Sequence, residues 1–109
     1  MLTKSVEKAL NKQIRIEAES SQVYLSMASW AEIKGLEGIA QFMYKHSDEE
    51  RMHMLKLIKY VNERGGHAVV TQLDKLETEW RKGDDFGMVR RIKEIVPDFR
   101  SNNSKYESL

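Results

Sequence analysis

From Val6 to Ala31 the chain sets apolar or small side chains three and four apart, and no glycine or proline falls between Thr3 and Gly35. Val6, Leu10, Ile14, Ser21, Tyr24, Met27, Ala28 and Ala31 carry this stripe. Such spacing follows the period of an α-helix. Thr3 is a good N-cap, ahead of Val6 and Glu7. The reading is a first helix of about 30 residues, about 45 Å long at 1.5 Å per residue. Gly35-Leu36-Glu37-Gly38 then breaks the pattern as a short connection, with Gly35 suited to a left-handed cap. A second stripe follows at the same spacing: Ile39, Phe42, Met43, His46, Glu50, His53, Leu57, Tyr60 and Val61. It ends at Gly65-Gly66, with Lys59 and Arg64 suited to a helix C-terminus. Two long helices joined by so short a turn must lie antiparallel, as a helical hairpin of the bundle kind.

Composition narrows the functional classes. At 109 residues the chain holds one domain at most. Charged residues of both signs make up 32%, with a formal net charge of +1, so nothing electrostatic favours nucleic acid or a membrane surface. The absence of cysteine removes disulfides, zinc-thiolate sites and thiol catalysis, and fits a cytoplasmic setting. No apolar run approaches the roughly 20 residues that span a bilayer. The N-terminus, Met1 to Lys8, shows no signal-peptide core.

Glu17 falls within the first stripe, where an unpaired buried carboxylate would cost several kcal/mol. It either sits at the stripe's edge and reaches water, or it has a partner. A hairpin count supplies one. Glu17 lies 18 residues before Gly35, while Glu50 and His53 lie 15 and 18 after it. Equal counts from the turn mean equal height. Glu50 and His53 are also three apart, so on a helix their side chains stand about 5–6 Å from each other on one face. Two carboxylates and an imidazole at one level form a mixed oxygen and nitrogen donor set, suited to iron, manganese or zinc.

Other residues keep two readings each. Tyr24 is either a core aromatic or a hydrogen-bonding neighbour of a ligand. Glu49 is either a secondary ligand or a solvated carboxylate. His46 is either a packed core histidine or a ligand. Met27, Met43 and Met54 read as packing.

The stretches Leu10 to Ser21, Tyr24 to Trp30, Gly35 to Gly38, Phe42, His46, Glu49 to His53 and Tyr60 to Gly66 together resemble the non-haem ferritins, through about residue 80. The resemblance implies a ferritin-like hairpin, half of a four-helix bundle, oxidation of Fe(II) by O₂ or peroxide, and iron storage in a hollow shell. It implies that Glu17 is a terminal iron ligand, that Glu50 bridges two irons and that His53 binds the first. It places Glu49 at an accessory iron site and Tyr24 beside the ferroxidase centre. A haem-binding member of the wider family would carry Met directly after the bridging Glu; Arg51 stands there, so no haem is expected.

After Gly66 the resemblance weakens. His67 to Leu73 reads as extended, like the long crossover of ferritins, so residues 1–80 are set apart from a divergent tail, 81–109. In that tail Asp84 or Asp85 caps a short helix with Phe86, Val89, Ile92 and Val96 on one face, ending at Pro97. Glu94 falls where the third ferritin helix would carry an iron ligand, yet its face carries Gly87, Arg90, Arg91 and Asp98, a solvated face, and Pro97 stops the helix within a turn. Lys93 to Glu107 is faintly similar to the tail of sugar-nucleotide epimerases or dehydratases, without any glycine-rich dinucleotide loop.

Three readings stay open. A homo-oligomer, at least a dimer, packs two hairpins about a twofold axis and assembles a di-iron site. A truncated or recombined ferritin subunit keeps half a site. A structural hairpin module uses Glu17 and His53 as a salt bridge without metal.

Overall fold

A computed structural model describes residues 1–76, 78 and 79. The short helix expected after Asp84, Glu94 and the stretch 81–109 lie outside the described residues. Among those described there are two helices and no strand: α1, Lys4–Ile33, and α2, Glu37–Glu63. At 30 residues α1 has the length that its uninterrupted stripe predicts. Thr3 caps it, its hydroxyl accepting the Val6 N–H at 3.2 Å.

Both helices stop by the same device. Gly35 takes φ +76° and Gly65 φ +82°. At the first stop the Leu36 N–H reaches Ala31 O at 2.9 Å and the Gly35 N–H reaches Glu32 O at 3.1 Å. At the second, Gly66 reaches Val61 O at 3.0 Å and Gly65 reaches Asn62 O at 3.4 Å. Each pair satisfies carbonyls that the helix end leaves without partners. The connection is tighter than the sequence suggests. Glu37 and Gly38 already belong to α2, so Lys34 to Leu36 make the whole turn.

The helices pack along their lengths around Val23, Tyr24, Met27, Ala28, Trp30, Ala31, Ala40 and Met43, joined by Leu36, Ile39, Phe42, Tyr44 and Leu76. Midway, small side chains let the backbones approach. The Ser21 hydroxyl donates to Ser47 O at 2.9 Å, and the Ser47 hydroxyl to Ser21 O at 2.8 Å. This reciprocal pair, absent from the sequence reading, locks the axial register of the hairpin.

The expected extended segment is present. From Gly66 the chain turns back along α1, with Val69 and Thr71 beside Lys8, Lys12 and Arg15, and Leu73 to Leu76 beside Gln22 and Ser26. The α1 and α2 side chains satisfy its backbone. Asn11 donates to His67 O at 3.0 Å and accepts the Val69 N–H at 2.8 Å. Glu7 accepts the His67 N–H at 2.9 Å, and Asn62 the Ala68 N–H at 2.8 Å.

Three stripe assignments need correction. Val6 is 45% exposed, Tyr60 41% exposed and the His53 side chain 50% exposed. Runs of fours explain Val6: at about 100° per residue, each step of four turns the stripe by about 40°. From Ile14 back to Val6 it has left the buried face.

Candidate metal centre

Glu17 reaches the hairpin's inner face because it lies between Ile14 and Ser21, both buried. Glu50 reaches it from α2, between Ser47 and the next turn. Both carboxylates are nearly shut off from water, Glu17 at 7% exposure and Glu50 at 5%. The edge reading of Glu17 is therefore not the one realised.

His53 completes the cluster from the rim. Its Nδ1 stands 3.7 Å from Glu17 Oε2 and 3.7 Å from Glu50 Oε2. Its side chain is half exposed, at 50%, although its spacing puts it on the apolar stripe. One ligand atom from each of the three residues lies within 4.8 Å of the other two. Donors bound at about 2.1 Å to one ion stand about 3 to 4 Å apart, so the cluster fits a single cation with little rearrangement. The carboxylates supply negative charge in a poorly solvated place, and the imidazole side leaves an approach from solvent.

A further contact escaped the sequence reading. Gln13 Nε2 donates to Glu17 Oε1 at 3.0 Å. Glutamine has no charge and is a poor metal ligand, so it does not stand out among acids and histidines. Its signal is positional: it lies one turn before Glu17 on the same helix face.

Tyr24, Glu49 and His46 form a neighbouring group. Tyr24 is 1% exposed and its ring stacks on His46, with centroids 4.9 Å apart. Phe42 meets the same imidazole edge-on at 4.3 Å. The His46 Nδ1 stands 3.9 Å from Glu49 Oε2, and the Glu49 side chain is 34% exposed. His46 is a packed core histidine, 2% exposed. Burial holds its imidazole below the ordinary histidine range; Glu49 opposes this and Lys45 adds to it. The cluster of converging ligand atoms comprises Glu17, Glu50 and His53, without Glu49. Among the described residues no helix is long and apolar enough to cross a membrane.

Comparison with known proteins gives one consistent answer. Residues 7–108 match the model of the ferritin-like domain, a match that extends into the stretch set apart as a divergent tail. A probable bacterial non-heme ferritin-like protein of Haemophilus influenzae is 41% identical over 81 residues, 74% of this chain and 49% of the relative. The bacterial non-heme ferritin of Campylobacter jejuni is 38% identical over 81 residues, 74% of this chain and 48% of its own length. The chain thus spans about half the length of the curated relatives it matches. Among solved structures, Chlorobium tepidum ferritin superposes with TM-score 0.71 at 28% identity, covering 99% of this chain and 69% of its own. An open pore ferritin from the archaeon Archaeoglobus fulgidus gives TM-score 0.71 at 29% identity, covering 95% of this chain and 70% of its own.

Proposed function

This chain belongs to the ferritin-like domain family, and from that premise we propose that it binds iron and, in an oligomer, oxidises Fe(II) to Fe(III) for storage. The observation that carries the proposal is the convergence of Glu17, Glu50 and His53 within 4.8 Å at mid-hairpin. Iron here is substrate and cargo. Glu17 is a terminal ligand, Glu50 bridges two ions, and His53 binds through the Nδ1 that faces both carboxylates. Two carboxylates neutralise a dication inside the bundle, which removes the cost of burying them. A harder oxygen-rich set also favours the ferric over the ferrous ion, and so favours the oxidation that O₂ or peroxide drives.

The three donors are half of what two ions need. Ferritin-like di-iron bundles use two single glutamates and two Glu-x-x-His pairs. A second copy about a twofold axis supplies the same three residues again, so the proposed unit is at least a dimer. Glu49 serves an accessory ion at the rim, and Tyr24 stands beside the centre within the aromatic stack on His46. Glu94, outside the described residues, is a further candidate ligand. Arg51 follows the bridging glutamate, so haem has no part in this reading. The setting proposed is the cytoplasm.

Oxygen uptake on adding Fe(II) tests the activity. We expect uptake above the rate of Fe(II) autoxidation in buffer, and its loss in Glu50→Ala. Iron binding without such uptake would favour a site that holds the metal but does not turn it over. If Glu17→Ala and His53→Ala change only folding stability, the pair is a structural salt bridge instead.

A further inference from the structure

We infer that Gln13 is a positioning residue for the metal centre: it holds the Glu17 carboxylate so that a single oxygen faces the ion, and it does so without adding a charge. The inference rests on the iron-binding reading of Glu17, Glu50 and His53.

Glu17 is buried, so the orientation of its carboxylate is set by its neighbours rather than by water. Its two oxygens are treated differently. Oε1 accepts the Gln13 amide at 3.0 Å. Oε2 faces His53 Nδ1 at 3.7 Å, beyond hydrogen-bond range. Tilting the carboxylate to present both oxygens to one ion breaks the Gln13 bond. Gln13 therefore favours a one-oxygen ligand aimed at the space shared with Glu50 and His53.

The identity of the donor matters as much as its place. A lysine or arginine at this position would also satisfy Oε1, but it would neutralise Glu17 and repel the arriving cation. An amide donates a hydrogen bond without a charge. It is half-buried and partly withdrawn from solvent competition. Such partners of ligating carboxylates typically change metal affinity by about 10–100-fold when removed.

The test uses the 109-residue chain with Co(II) as a visible-absorbing stand-in for Fe(II). Affinity and the shape of the Co(II) absorption band are read by titration, and metal-free stability by thermal melting, in the parent, Gln13→Leu, Gln13→Lys and Glu17→Ala. The expected result is affinity about tenfold weaker in Gln13→Leu, with a changed band. Gln13→Lys weakens Co(II) binding at least as much while melting no lower than the parent, because the lysine pairs with Glu17. A purely structural glutamine would instead lower the melting temperature in Gln13→Leu and leave the band alone. If both Gln13 variants bind Co(II) as the parent does while Glu17→Ala abolishes binding, the role of Gln13 is refuted and the metal reading survives. If Glu17→Ala binds as the parent does, the metal reading fails and takes this inference with it.

Discussion

Glu17 and Glu50 bring ligand oxygens within 4.8 Å of each other in a place that water barely reaches. Replacing one carboxylate by its neutral isostere removes this pairing of acidic groups without changing shape. Glu17→Gln is expected to stabilise the metal-free chain by about 1 kcal/mol and to weaken Fe(II) binding at least about tenfold. Paired urea unfolding and anaerobic iron titration check this. Destabilisation with unchanged iron binding would mark Glu17 as the partner of His53 in a salt bridge. His46 gives a pH prediction of known sign. Burial depresses its folded pKa, so the unfolded chain binds the proton first as pH falls. Stability from this group is present above the ordinary histidine pKa, about 6.5, and is lost as pH falls from there towards the depressed folded value. His46→Leu should flatten the acid side of a stability–pH curve measured by denaturant unfolding. At this scale the level of Glu17 opposite Glu50 and His53 was legible, because it follows from counting outward from Gly35, whereas counting alone leaves its burial open between an edge and a partnered place. The exposure of His53 was not. Residues 46, 53 and 60 look equivalent at intervals of seven, yet a straight helix rotates them by about 20° each time. His46 is 2% exposed, whereas the His53 side chain is 50% exposed and Tyr60 41%. The same drift that exposes Tyr60 leaves His53 at the rim, where an ion can reach it.

The two helices depend on how they end. A Cβ added at Gly35 meets nothing within 4 Å, so Gly35→Ala carries only the strain of φ +76°. The expected loss is about 1–2 kcal/mol by urea unfolding, and Gly35→Asn should lose less because asparagine tolerates this conformation better. Gly66 fails for another reason. Its added Cβ would lie 2.9 Å from Val61 Cγ1 and 3.3 Å from Leu2 Cδ1, so Gly66→Ala presses on the packing at the far end of the hairpin. The extended segment is held by Asn11, which loses two backbone contacts in Asn11→Ala. Amide exchange at Val69 should then quicken by an order of magnitude or more while the helix amides stay protected, for a hydrogen bond contributes about 1 kcal/mol. Helix lengths and the Gly35 stop were legible because glycine and the three-and-four spacing act locally. The Ser21–Ser47 lock and the Asn11 clip were not, because each joins residues far apart in the chain and neither uses a residue type that marks a long-range partner.

For the whole molecule, the central claim is that the hairpin carries one half of a shared iron site. The convergence of Glu17, Glu50 and His53 at one level was legible from the residues themselves. What would complete a two-ion site was not, since three donors at one level do not name the helices that close around them. Two chains related by a twofold axis would bring two single glutamates and two Glu-x-x-His pairs to one bundle. The most direct measurement is an anaerobic Fe(II) titration followed by sedimentation, on the parent chain and on Glu50→Ala. The account predicts saturation at about one iron per chain, in an assembly of at least two chains, and loss of that binding in Glu50→Ala. A monomer at saturation, a stoichiometry well below one iron per chain, or undiminished binding in Glu50→Ala would contradict it.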